Sequence, residues 1–160
     1  MPQPKGSPTG GMATTTGSLV RAAAHLVTLP RMEDERGSLS FIEAGEHVPF
    51  QIERIYYLMD VPAGIRRGGH AHATSQQVII AIVGSVEVTV DNGITSETHK
   101  LDRSDLGLYI PNLTWRDLQH FSPTAVCLVL SSQHYDATDY LDSYDEFTAI
   151  VRSKHDDPIP

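Results

Sequence analysis

Short runs of β-branched and aromatic residues, each bounded by glycine, proline or small polar residues, recur along this chain from about residue 19 onward. They occupy 26–29, 38–42, 54–59, 78–83, 86–90, 106–110 and 125–130. Runs this short cannot form helices long enough to pack, whereas strands of four to six residues are the usual unit of antiparallel sheets. The segments Val83-Gly84-Ser85-Val86 and Asp91-Asn92-Gly93 supply tight-turn chemistry between neighbouring strands. The pattern predicts an all-β antiparallel sandwich or barrel. Only 135–151 has helical periodicity, with Tyr140, Tyr144, Phe147 and Val151 on one face. That helix is expected to pack outside the barrel.

A chain of 160 residues fits one domain, placed here at 19–155. Residues 1–18 are rich in proline, glycine and threonine without apolar periodicity, and read as a flexible leader. Twelve Lys and Arg against twenty Asp and Glu leave a net charge of -8, which disfavours nucleic acid as a partner. A small anionic ligand needs only a few local arginines and is not disfavoured. The single cysteine, Cys127, has no intrachain disulfide partner and lies in an apolar run. No stretch approaches the ~20 apolar residues of a membrane span, and no signal-peptide core is evident near the N-terminus. The expectation is a cytoplasmic protein that does not engage membranes.

The most informative segment runs from Gly64 to Gln77 and contains His70-Ala71-His72. Alternate residues of a strand share a face, so the two imidazoles point the same way. An isolated pair of this kind is ordinarily two surface histidines on an edge strand. Here the glycines around it change the balance. Gly64, five residues, His70-x-His72, four residues, Gln77, six residues and Gly84 resemble the first motif of the cupin superfamily, and Pro111 opens a partial second motif. The resemblance implies a cupin-type jelly-roll barrel with a short C-terminal helix. Metal-binding cupins carry glutamate where this chain has Gln77, and a third histidine where it has Arg116. An arginine cannot ligate a metal, and a neutral amide poorly replaces a carboxylate. No metal is expected, although His120, further along, leaves a three-histidine site open.

Without a metal, a histidine pair suits proton transfer, since imidazole titrates at about 6.5. Proton movement at a carbon beside a carbonyl is the chemistry that needs this most directly. Arg66, Arg67 and Arg116, with Arg36 and Arg54 on other strands, could hold an anionic substrate such as a nucleotide diphosphate. Trp115 is expected at the mouth or wall of the pocket, where it could stack on a ring, core packing being its commoner role. Tyr57 alternates with Ile55 and Met59 and is expected to share an inward face with them, bringing its hydroxyl to the histidines.

More specifically, the chain resembles the metal-free cupin sugar 3,4-ketoisomerases acting on thymidine-diphosphate-linked 4-keto-6-deoxyglucose. The likeness rests on Arg36-Gly37-Ser38-Leu39, Pro49-Phe50, Arg54-Ile55-Tyr56-Tyr57, Arg67-Gly68-Gly69-His70-Ala71-His72, Gly107-Leu108-Tyr109-Ile110-Pro111, Trp115 and 135–140. It implies conversion of the 4-keto sugar nucleotide to its 3-keto isomer through an enediol, without a cofactor, in deoxyaminosugar biosynthesis. It also implies a homodimer that exchanges N-terminal strands. By position, His70 and His72 would be the acid–base pair, with His72 as base at C3, assisted by Tyr57. Arg36, Arg54, Arg67, Gln77, Trp115 and Arg116 would bind substrate. A sugar-nucleotide 3,5-epimerase and a non-catalytic small-molecule-binding cupin are the alternatives.

Overall fold

The structure, a computed structural model, describes residues 22–156, so the proposed leader lies outside the described residues. Its strands are β1 (His25–Thr28), β2 (Arg31–Asp34), β3 (Gly37–Ser40), β4 (Arg54–Leu58), β5 (Arg67–His72) and β6 (Gln77–Val83). They continue as β7 (Val86–Asp91), β8 (Ser96–Leu101), β9 (Leu106–Ile110), β10 (Trp115–Gln119), β11 (Val126–Ser131) and β12 (Tyr140–Leu141). A 3₁₀ turn at Ala137–Asp139 precedes β12, and helix α1 (Tyr144–Asp156) follows it. One five-stranded sheet has the order β1-β9-β6-β11-β4, the other β12-β5-β10-β7-β8, and β2-β3 forms a separate hairpin. The named strands all pair antiparallel. The two large sheets do not join into a closed ring, so the cupin jelly roll is a flattened sandwich.

Strand chemistry explains the layering. On β7 every second residue, Val86, Val88 and Val90, is buried between the sheets with Ile79, Leu108, Ile110, Leu118 and Val129. In contrast, β6 is buried on both faces: Ile79 and Ala81 enter that central core. Val78 and Ile80 meet Leu29, Val48, Phe50 and Leu130 on the outer side. This two-sided burial accounts for the continuous apolar run. Helix α1 covers the outside of the second sheet, where Phe147 and Val151 pack on Ala71, Leu113 and Leu141. Burying each of the Phe, Val and Leu side chains among these contributes roughly 1.5–3 kcal/mol.

The helix starts later than its periodicity suggested. Asp136 accepts the backbone N–H of Thr138 and holds the 3₁₀ turn. Tyr140 then pairs with His72 as an added strand, and Ser143 Oγ accepts from Glu146 N–H to begin α1. Strands β2, β8 and β10 were also unmarked in the sequence, because Arg31-Met32-Glu33-Asp34, Ser96-Glu97-Thr98-His99-Lys100 and Trp115-Arg116-Asp117-Leu118-Gln119 carry too many polar residues to stand out. The outer face of edge strand β4 leaves Ile55 and Tyr57 in solvent, with Met59 just beyond its end, as the hairpin does Met32 and Leu39. Among the described residues, no helix is long and apolar enough to cross a membrane.

Candidate active site

Two consecutive glycines open the site. Gly68 and Gly69 lie at φ 83° and 73°, in the left-handed region that side chains disfavour. A Cβ on Gly68 would stand 2.6 Å from the Arg116 carbonyl oxygen. The missing side chain lets β5 press against β10, whose register shifts between Arg116 and Asp117. His70 and Arg116 become direct partners across the two strands.

Between the sheets lies a cavity of about 350 Å³. Its polar wall comprises Tyr56, Arg66, Arg67, His70, Gln77, Arg116 and Tyr140, over an apolar floor that includes Ile79, Leu118 and Val129. Arg116 is 1% exposed, yet among the described residues Nε, Nη1 and Nη2 all lack a hydrogen-bond partner. Burial pushes its guanidinium down to about 10, with only Tyr56, Tyr140 and Asp139 nearby to raise it. An unpaired buried cation is costly, and this one faces a cavity that can receive an anion. Burial, and then the Arg116 charge, also hold His70 below the ordinary imidazole value, so its ring is neutral near neutrality.

His72 shares the face of His70, with ring centroids 5.0 Å apart, but it stands behind the cavity wall. It is fully buried, with Nδ1 2.8 Å from Asp139 Oδ2 and Nε2 3.2 Å from Gln77 Nε2. Burial first, then Arg116 and His70, push it down to about 3. Burial alone would raise Asp139; hydrogen bonds from the Ser75 and Thr74 hydroxyls and the Thr74 N–H hold it down, at about 2. The pair is therefore a neutral imidazole bound to a carboxylate.

Several sequence expectations are corrected. Tyr57 is 58% exposed on the outer face of β4, with Ile55 and Met59, and does not reach the histidines. The inward residues of that strand are Arg54, Tyr56 and Leu58, so Tyr56 is the tyrosine of the cavity. Its hydroxyl accepts from Gln77 Nε2 at 3.2 Å, and burial raises its pKa, which keeps it protonated. Trp115 is not at the mouth: adjacent strand residues face opposite ways, so inward Arg116 turns Trp115 outward onto Tyr144 and Phe147. Arg36 stands on the exposed turn of the β2-β3 hairpin, paired with Asp34, outside this cavity. Arg54 does not line the cavity; its guanidinium carbon stands 5.1 Å from the Tyr56 ring centroid and 5.5 Å from that of Tyr135. His120 is exposed and bound to Glu87, so it cannot complete a three-histidine site.

Tyr140 and Asp139 both lie in the 135–140 stretch that carries the family likeness, but the sequence pattern assigns neither of them to the site. The apparent helical spacing of Tyr140 concealed their placement against β5. The cupin metal position offers a poor donor set: both nitrogens of His72 are engaged, Gln77 is neutral, and Arg116 brings a positive charge. These residues do not fit a divalent metal.

The fold and this donor set define a cupin whose pocket carries acid–base and cationic side chains where relatives of the fold carry metal ligands. The chain belongs to the family described as FdtA: WxcM-like, C-terminal, which matches residues 22–152. It is 38% identical over 126 residues to the TDP-4-oxo-6-deoxy-alpha-D-glucose-3,4-oxoisomerase of Aneurinibacillus thermoaerophilus, covering 79% of this chain and 91% of that protein. The solved WlaRB TDP-quinovose 3,4-ketoisomerase of Campylobacter jejuni is 40% identical, with a TM-score of 0.76 over 79% of this chain and 97% of that one. A mutant of the 3,4-ketoisomerase QdtA from Thermoanaerobacterium thermosaccharolyticum, in complex with TDP-4-keto-6-deoxyglucose, is 33% identical, with a TM-score of 0.80 over 84% and 97%.

Proposed function

We propose that this protein converts thymidine-diphosphate-linked 4-keto-6-deoxyglucose into its 3-keto isomer. The observation that carries the reading is the convergence of a neutral imidazole, a protonated phenol and an unpaired guanidinium on one cavity. His70 takes the proton from C3 and the carbon–hydrogen electrons form the C3–C4 double bond. Tyr56 gives its proton to the C4 oxygen, and Arg116 stabilises the negative charge that develops there. In the second half the C3 hydroxyl returns a proton to Tyr56 as its ketone forms, and His70 delivers a proton to C4. The oxidation states of neighbouring carbons exchange, so the step balances internally. Arg66 and Arg67, exposed at the cavity rim, are suited to the diphosphate. His72, assigned above as the base on resemblance, gives that role to His70 because neither of its nitrogens is open to the cavity.

A homodimer with exchanged N-terminal strands belongs to the same reading. The apolar outer face of edge strand β4 and the exposed hairpin support it. The buried unpaired Cys127, whose thiol is pushed up to about 11 by burial, suits the cytoplasm. Incubation with the 4-keto sugar nucleotide in deuterated water, followed by NMR, tests the function. A 3-keto product supports it; deuterium at C3 and C5 without a 3-keto product indicates epimerisation, and no reaction leaves a binding protein.

A further inference from the structure

The buried network behind the cavity has a direction that can be worked out proton by proton. Asp139 is ionised and can only accept. Its Oδ1 takes the Thr74 N–H and hydroxyl, each at 2.7 Å, and its Oδ2 takes the Ser75 hydroxyl at 2.6 Å and His72 Nδ1 at 2.8 Å. His72 is neutral and carries one ring proton, which must therefore sit on Nδ1. Its Nε2 is then an acceptor, and the Gln77 amide must turn its NH₂ toward it, 3.2 Å away. The second amide hydrogen goes to Tyr56 Oη, also at 3.2 Å. Tyr56 receives a hydrogen bond from the protein and keeps its own proton free.

We propose that Asp139 is a positioning residue that sets the direction of the hydrogen-bond chain from His72 through Gln77 to Tyr56, so that the Tyr56 hydroxyl proton is presented to the substrate oxygen. The inference rests on the reading of Tyr56 as the acid that protonates the C4 oxygen. The same chain serves the second half of the reaction, because a phenolate at Tyr56 is met by a Gln77 N–H donor until the proton returns. Asp139 does not itself line the cavity, and its carboxylate reaches Tyr56 only through His72 and Gln77.

Asp139→Asn reverses the direction without changing the shape. The Thr74 backbone N–H can only donate, so the Asn oxygen stays on it and the new NH₂ group faces His72 Nδ1. His72 must then accept at Nδ1 and carry its proton on Nε2, a wrong-tautomer outcome. Gln77 flips to present its carbonyl oxygen, and Tyr56 donates to that oxygen instead of to the substrate.

The test combines ¹⁵N NMR of the histidine rings with steady-state kinetics. The wild type should show neutral His72 with its proton on Nδ1 at neutral pH. Asp139→Asn should move the proton to Nε2 and lower kcat by ~10²–10⁴-fold with KM unchanged. Should the variant not fold, the wild-type tautomer still decides, since a proton on Nε2 or a charged ring overturns the proposal. A variant with the moved proton and wild-type kcat overturns it, as does a slow variant whose His72 tautomer is unchanged. Absence of 3-keto product from the wild type refutes the functional reading itself, a result separable from these.

Discussion

Replacing Arg116 by methionine should make the protein more stable and less active at once. The side chain is almost wholly buried with all three guanidinium nitrogens unpaired. Burial lowers its pKa to about 10, a shift that corresponds to ~3 kcal/mol against the charged folded form. Replacing buried ionic groups by apolar ones of similar volume has stabilised other proteins by roughly 1–4 kcal/mol, and methionine can pack on the nearby Ile79, Leu118 and Val129. For a chain of this size, that predicts a rise in Tm of ~6–12 °C. The unfolded wild-type chain holds this proton up to higher pH than the folded one does. Wild-type stability therefore rises as pH climbs above about 10, where the folded chain releases the proton that the unfolded chain still holds, and the variant should lack that rise. The Arg116 charge also depresses His70; without it the His70 value climbs, and the acid limb of kcat/KM, which needs the neutral ring, moves to higher pH. Calorimetry and a pH–rate profile measure these effects. An unchanged or lower Tm together with an unmoved acid limb would refute the account of Arg116 as a cation held without a partner for the substrate.

Tyr56→Phe should lower kcat by ~10²-fold or more, while Tyr57→Phe, on the outer face, should leave turnover at the wild-type rate; kinetics of the two side by side distinguish the inward from the outward tyrosine. Gly68→Ala should displace β5 from β10 through the contact with the Arg116 carbonyl, which thermal unfolding and a loss of kcat would report together. Prolonged treatment with a chelator should leave turnover intact, because Gln77, Arg116 and the doubly engaged His72 make a poor metal site; loss of activity restored by a divalent ion would contradict this.

Strand spacing and turn chemistry made the jelly roll legible, because the inner faces of β6, β7, β9 and β11 had to be apolar to fill the space between sheets. The site was legible where one residue type at one register sufficed: His70, Gln77 and Arg116 fall where the cupin motif aims them. Orientation was harder. Arg54-Ile55-Tyr56-Tyr57-Leu58-Met59 alternates two apolar or aromatic sets, and nothing in it says which set meets the core. The pattern favoured the more apolar set, Ile55, Tyr57 and Met59, yet the cavity needed the polar side of the strand. Trp115 shows the same limit, since its facing is dictated by Arg116. Asp139 is set by a 3₁₀ turn and a two-residue strand, both too short to leave a periodic trace.

Among the described residues, strand β4 is hydrogen-bonded along one side only, to β11, and it carries Tyr56. Edge strands of this kind open at a smaller free-energy cost than the strands between them. Fraying of β4 would carry the phenol away from His70 and Arg116 while β6, β9 and β11 remain intact. The temperature at which activity disappears should accordingly lie below the temperature at which the fold melts. Whatever clamps the outer face of β4 narrows that gap, and the lifetime of the working site is set by the weakest seam of the sheet.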